Sequence, residues 1–426
     1  MLLLFLLSVI VLLLLGMPVA YALSFAGMIG MYFFIGGAIS FPQIPGIAYK
    51  TLDDFVITAV PLYILMSYIL LKGKVGTDLF DLGNKWLRHL PGGLAVATIL
   101  ACAIFASISG SSVATAVTIG TIAIPEMLRR GYPKTIVYGT VAAGGTLGIL
   151  IPPSIPMILY GSITGVSVGK LFLSGIVPGV LLTGLFMLYI VVRSRHGVIL
   201  QEAAPWSERI AALKHSAWGL FLPLLIIGGI YTGLFTPTEA AAVGTFYALF
   251  ITFFIYKSLT LSDMREVLEE SAKTTSMIFA IMIGAMLFGF VLTVLQAPQL
   301  LVSFVTEVTA GRWVIFIGIN IVLLALGCML ETVSIILITL PILYPIVRLL
   351  GFDLIWFNVI MLINMELALI TPPVGMNLFV IKGIAKNGTI SDIVRGSIPF
   401  AILMVSEIIL LCLVPELATW LPKVLQ

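Results

Sequence analysis

Four short stretches of this chain could do chemistry within otherwise apolar sequence. The first is Ser107-Ile108-Ser109-Gly110-Ser111-Ser112. The second is Gly144-Gly145-Thr146 with the following Ile151-Pro152-Pro153-Ser154. The third is Gly327-Cys328-Met329-Leu330-Glu331-Thr332. The fourth is Asn364-Met365-Glu366 followed by Thr371-Pro372-Pro373-Val374-Gly375-Met376-Asn377. A proline pair removes two N–H donors and frees upstream carbonyls. Freed carbonyls and small hydroxyls are hard oxygen ligands, suited to an alkali cation. A helix that restarts beyond such a break aims its N–H groups the other way, which suits an anion.

Other reactive patterns are missing. HExxH, GxSxG and a Walker A run do not occur. A serine hydrolase would need a base beside its nucleophile, and the serine-rich run has none in sequence. A channel would need a continuous polar lining, whereas polar residues here gather at discrete breaks. Cys102, Cys328 and Cys412 lack metal-ligand spacing and read as packing residues.

The elements that must hold these stretches are membrane helices. The chain has 426 residues, 60% hydrophobic and 10% charged, with a mean hydropathy of +1.19. A globular domain carries roughly 25% charged residues, so a soluble fold of this size could not cover its surface. The net charge of +3 with no basic cluster argues against nucleic-acid binding. Long apolar runs predict helices, and the alternation of a membrane barrel is missing. The first fifteen residues lack the basic n-region of a signal peptide and read as a first crossing.

Crossings are predicted at 1–15, 18–36, 55–72, 134–165, 171–192, 216–234, 238–256, 274–295, 354–381 and 397–415. The runs 94–128 and 313–347 are too long for one span and polar near the middle. Each is predicted to fold as a re-entrant hairpin with the first or third stretch at its tip. With the N-terminus outside, 17 of the 22 cationic residues then fall on the inner side, as the positive-inside rule requires. The polar stretch 193–215, with His196 and His215 solvated, reads as a cytoplasmic connector holding a short amphipathic helix. The segment 257–272 reads as an interfacial helix or a solvated linker.

The sequence also repeats itself at an offset of 220 residues: Pro125 falls on Pro345, Gly131 on Gly351, and Pro152-Pro153 on Pro372-Pro373. Each copy holds five crossings and one hairpin, and an odd number of crossings turns the second copy upside down. The expected fold is therefore all-α and polytopic, with two inverted-topology repeats, 1–205 and 215–426. Helices near 1–72 and 216–295 form a scaffold; the hairpins and broken helices, 94–165 and 313–385, form the bundle that carries the site.

The runs Ser109-Gly110-Ser111-Ser112-Val113-Ala114-Thr115-Ala116, Ile124-Pro125-Glu126-Met127 and Gly145-Thr146-Leu147-Gly148 carry a family resemblance. So do Thr236-Pro237-Thr238-Glu239-Ala240-Ala241, Pro341-Ile342-Leu343 and Thr371-Pro372-Pro373-Val374-Gly375-Met376-Asn377. Together, over essentially the whole chain, they resemble the large, DctM-type membrane subunit of tripartite ATP-independent periplasmic (TRAP) transporters.

The resemblance implies an elevator-type sodium symporter of a small organic anion: a C4-dicarboxylate, a sialic acid or another sugar or keto acid. It implies delivery by a periplasmic binding protein (DctP-type) and a small four-helix subunit (DctQ-type), expected as a separate chain. The setting would be a prokaryotic inner membrane. By this analogy the first sodium site uses Ser107, Ser109, Gly110, Ser111 and Ser112 with Gly145 and Pro152. The second uses Gly327, Thr332, Thr371, Gly375 and Met376. The anion would lie between the tips, against Ser111, Ser112, Thr115, Glu331, Thr332, Asn364 and Asn377. Glu331 is expected to accept N–H groups at a half-helix start or to pair with a buried group. Glu239 is expected to cap its helix, Glu126 to pair with Arg129 and Arg130, and Glu366 to take part in coupling. The rival reading within transporters is a sodium–dicarboxylate or citrate symporter that works without a binding protein. Rivals from other classes are a channel or structural subunit and an intramembrane enzyme.

Overall fold

The computed structural model describes residues 2–195, 202–307, 311–385 and 388–425. Among them are twenty α-helices and no β-strand. The first ten are α1 (Leu2–Leu14), α2 (Val19–Met31), α3 (Gln43–Leu52), α4 (Ala59–Lys72), α5 (Val75–Leu87), α6 (Gly93–Ser109), α7 (Ser112–Arg129), α8 (Lys134–Thr146), α9 (Ile155–Thr164) and α10 (Val168–Arg193). The others are α11 (Trp206–Tyr231), α12 (Pro237–Phe250), α13 (Leu261–Val294), α14 (Ala297–Glu307), α15 (Arg312–Gly327), α16 (Thr332–Leu349), α17 (Leu354–Leu369), α18 (Met376–Ile384), α19 (Ile390–Leu413) and α20 (Glu416–Val424).

Local chemistry sets the breaks. Gly110 takes a left-handed φ of 59° and ends α6. Ser111 is extended, and its hydroxyl accepts from the Ala114 N–H to open α7. Gly375, at φ 57°, precedes α18 in the same left-handed region. Thr236 and Glu239 form a reciprocal capping box at the start of α12, with Pro237 at its first position. Glu126 holds Arg129 and Arg130, its Oε1 accepting from Arg130 Nε at 2.6 Å.

Element boundaries recur at the spacing of the sequence repeat. α7 and α16 begin and end 220 residues apart. Gly131 and Gly351 both take positive φ, and the bonds Pro152–Pro153 and Pro372–Pro373 are both cis. α2 and α12 each continue into a five-residue π-helical turn, Tyr32–Gly36 and Ile251–Ile255.

Three expectations need correction. Among the described residues, seven helices are long and apolar enough to cross a membrane, or eight if α4 and α5, bent by 65°, count as one span. Six of the ten expected crossings are among the seven: α2, α10, α11, α12, α13 and α19. The runs 134–165 and 354–381 are each split by their proline pair into two helices too short to qualify alone, and α1 is also short. The seventh is α16, expected as a hairpin arm, which is 18 residues long and apolar. Second, 257–272 holds no separate interfacial helix. From Leu261 it forms the first turns of the continuous 34-residue α13, because no Gly or Pro interrupts Glu269-Glu270-Ser271-Ala272-Lys273. Third, the connector's amphipathic segment is the start of α11, which runs unbroken from Trp206 into the apolar run. Residues 196–201 of that connector, including His196, lie outside the described residues.

Packing draws on small residues. Gly27 of α2 lies against Leu287 of α13, where an added Cβ would come within 2.9 Å. Gly139 of α8 and Gly396 of α19 bring two backbones into direct contact, with no room for a side chain at either. Two buried polar ends tie helices together: Trp356 Nε1 donates to the Leu411 carbonyl at 2.8 Å, and Tyr160 donates to the Leu354 carbonyl at 2.8 Å. The latter ties α9 to the start of α17.

Candidate functional site

The four breaks converge. A cavity of about 430 Å³ is bounded on one side by Ser109 to Ala114, Ile155, Pro156, Glu331 to Val333 and Met376. On the other side stand Ile64, Ser67, Tyr68 and Leu71 of α4 and Thr274, Met277 and Ile278 of α13. The N-termini of four helices, α7, α9, α16 and α18, thus line one space. Their free N–H groups make that space favourable to negative charge. The C-terminal turn of α6, Ile149 in the turn after α8, and Leu369 at the end of α17 line it too. Helix C-terminal ends carry the opposite pole of the peptide dipole. No lysine or arginine is among the lining residues, and Glu331 is the one carboxylate there.

The first tip is organised by hydroxyls. Ser109 Oγ and Thr115 Oγ1 lie 2.9 Å apart, and Thr115 donates to the Ser111 carbonyl at 2.8 Å. Thr115 is fully buried behind the tip, outside the cavity lining. Ser107 turns back to donate to the Ile104 carbonyl at 2.7 Å. The first break presses on this tip. A Cβ at Gly110 would stand 2.7 Å from the Pro153 carbonyl oxygen, and one at Gly145 would stand 2.7 Å from the Ala116 Cβ. Pro153 thus lies against the first tip and Gly145 against the first turns of α7, and neither Pro152 nor Gly145 lines the cavity.

The second tip is arranged similarly. The Gly375 N–H donates to the Cys328 carbonyl at 3.2 Å, tying break to tip. Gly327 packs on Ala368. Thr371 donates to the Leu367 carbonyl at 2.6 Å. Met376 and Thr332 reach the cavity; Gly327, Thr371 and Gly375 lie behind it. Glu331 precedes α16 as its N-cap but accepts no capping hydrogen bond. The expected capping role is therefore not what this side chain does: it is half-buried and lines the cavity.

Asn377 is fully buried, and its amide donates to Ser112 Oγ at 2.9 Å and to the Ala142 carbonyl at 3.2 Å. Asn364 is not brought to this cavity. Its amide donates to the backbone and side-chain oxygens of Asn320, both at 2.9 Å, and it lines a separate space of about 340 Å³ between α15, α17 and α19. The sequence reading missed the far wall. Tyr68 and Thr274 share a hydrogen bond of 2.9 Å across α4 and α13, and Ser67 sits beside them. The available signal was a Ser67-Tyr68 pair inside an apolar run and a Thr274-Thr275 pair at the head of another.

The model of the tripartite ATP-independent periplasmic transporter, DctM component, matches residues 6–417. The chain belongs to this family. It is 43% identical over 380 residues to the C4-dicarboxylate TRAP transporter large permease protein of Pseudomonas aeruginosa, covering 88% of each chain. It is 37% identical over 431 residues to the corresponding protein of Rhodobacter capsulatus, covering 98% of this chain and 97% of that one. Its fold is similar to that of the MtrF efflux pump of Neisseria gonorrhoeae, with a TM-score of 0.63 at 15% identity, over 96% of this chain and 94% of that one. As a DctM protein the chain is a multi-pass transport component and not an enzyme, and the cavity between its breaks is the candidate transport site.

Proposed function

We propose that this DctM chain is the transporting subunit of a sodium-coupled symporter that imports a small organic anion, with C4-dicarboxylates the first class to test. Four helix N-termini facing one cavity with no cationic side chain in its lining carry this reading. Such a cavity can hold carboxylate oxygen through N–H dipoles and hydroxyls, while the facing carbonyl ends suit sodium. The first sodium site is assigned to the Ser107–Ser112 tip with Gly145 and Pro152, and the second to Gly327, Thr332, Thr371, Gly375 and Met376. Ser111, Ser112, Glu331 and Thr332 face the anion; Thr115 and Asn377 support them from behind. The names of the two relatives point to C4-dicarboxylates.

The two halves, 1–205 and 215–426, act as inverted repeats, and the 220-residue recurrence of breaks and of the bounds of α7 and α16 supports this. The bundle carrying both tips slides as an elevator against the scaffold that contributes Tyr68 and Thr274. A periplasmic binding protein delivers the anion, and a small membrane subunit steadies the scaffold in a prokaryotic inner membrane, with the N-terminus periplasmic. One charge moved through 100 mV is worth about 2.3 kcal/mol, and a tenfold sodium gradient adds about 1.4 kcal/mol per ion. Two sodium ions with a doubly charged anion are electroneutral and leave only the chemical gradient, about 2.8 kcal/mol in all. A third cation would be needed to draw on the membrane potential.

The test is uptake of a labelled C4-dicarboxylate into proteoliposomes holding this chain, its small subunit and its binding protein. Uptake should require an inward sodium gradient and the binding protein. Equal uptake in choline, or without the binding protein, would overturn the reading.

A further inference from the structure

Away from both tips, two carboxyls are buried in the membrane-spanning body. Glu366 of α17 and Glu407 of α19 are both fully shielded from solvent, and all four of their carboxyl oxygens lack a hydrogen-bond partner among the described residues. The two helices pack on each other, and each carboxylate would feel the other's charge. The backbone of Leu150, in the first break, also faces Glu366. Neither glutamate lines the transport cavity.

Cations on the neighbouring helices do not neutralise them. Lys134 on α8, Lys170 and Arg193 on α10, and Lys382 on α18 sit in end turns, as do Glu416 and Lys423 on α20. Arg312 on α15 and Arg348 on α16 do likewise, and Asp392 and Arg395 occupy the first two turns of α19. An isolated ionised carboxylate in so apolar a setting is very costly. Two like charges side by side are costlier, and such pairs elsewhere hold one proton between them. Ionisable groups at membrane depth also tend to mark ion pathways.

We propose that Glu366 and Glu407 form a buried site for one small monovalent cation, a proton or a sodium ion, shared between the two carboxyls behind the first break. The site is separate from the two tip sites. It could supply the extra cation that electrogenic import of a dianion requires, but its existence does not depend on what is transported.

Infrared difference spectroscopy of the full chain in lipid vesicles tests it directly, reading the carbonyl stretch of protonated carboxylic acid. Spectra are taken across a pH series in choline buffer and again in sodium buffer. If the cation is a proton, wild type shows the buried-acid band in both buffers, and the band disappears in the Glu366→Gln/Glu407→Gln double variant. If it is sodium, the band appears in choline and is lost when sodium is added. Each single variant should by itself shift or remove the band, which keeps the test open should the double variant fail to fold. A band unchanged by the substitutions, one moved by only one of the two, or no buried-acid band in either buffer would overturn the shared site.

Discussion

Asn377 and Ser112, 265 residues apart in sequence, are hydrogen-bonded at 2.9 Å. Ser112 is the first residue of α7 and Asn377 the second of α18, so the bond fastens a half-helix start in one half of the chain to one in the other. A neutral buried bond of this kind contributes about 1 kcal/mol net. Ser112→Ala and Asn377→Ala should each raise the sodium concentration for half-maximal uptake. The double variant should be no worse than the poorer single, giving a coupling of about 1 kcal/mol in a double-mutant cycle. Strict additivity would show that the bond does not link the two sites.

Glu331 offers a sharper separation of roles. Its carboxylate does not cap α16, so Glu331→Gln should leave the melting temperature of the purified protein unchanged. A half-buried carboxylate with no capping role is well placed to accept from a bound hydroxyl or to face a hydrated ion. Loss of a hydrogen bond to a charged group is worth about 1.5–3 kcal/mol, so uptake should fall tenfold or more. A lowered melting temperature with normal uptake would return Glu331 to a structural part.

Gly110 is held by two independent constraints. Its φ of 59° disfavours any side chain, and a Cβ would overlap the Pro153 carbonyl oxygen at 2.7 Å. Gly165 shares only the first constraint, with φ 72° and open space around it. Gly165→Ala should therefore cost about 1–2 kcal/mol, and Gly110→Ala a further 1–3 kcal/mol or so from the overlap. Thermal unfolding of both variants checks the order. Uptake by Gly165→Ala should stay near wild type, whereas Gly110→Ala should lose sodium activation.

What could be read from sequence divides by range. The breaks were legible because Gly, Pro and Ser carry their backbone consequences locally, and the 220-residue spacing aligned them. The capping box at Thr236 and the Glu126 pairs were legible for the same reason. The span count was less so: length and apolarity alone do not separate α16, expected as a hairpin arm, from a span, and α1 is short for a crossing. The interfacial segment before α13 was misjudged because charged residues signal surface, while their good helix propensity lets the helix continue through them. Tyr68 and Thr274 were each marked locally as polar residues in apolar runs, but their meeting depends on the packing of α4 against α13, which no local pattern encodes. Asn364 sits on the unexpected side for a related reason. It lies two residues before Glu366, and the helix turn there directs it to Asn320.

The orientation proposed from the cations can be checked by labelling from both sides at once. Arg195 and Lys50 are both exposed, and the charge distribution assigns them to opposite faces. Cys102 and Cys328 are buried and Cys412 is half-buried, so the background is low; Cys412→Ser would lower it further. Arg195→Cys should react with an impermeant maleimide only when the cytoplasmic face is open, as in inverted vesicles. Lys50→Cys should react only in whole spheroplasts, where the periplasmic face is open. If both react from one side, the crossings between them sum to an even number and the hairpin assignment of 94–128 fails. If both react but with the sides exchanged, the hairpins stand and the N-terminus is cytoplasmic, against the positive-inside reading.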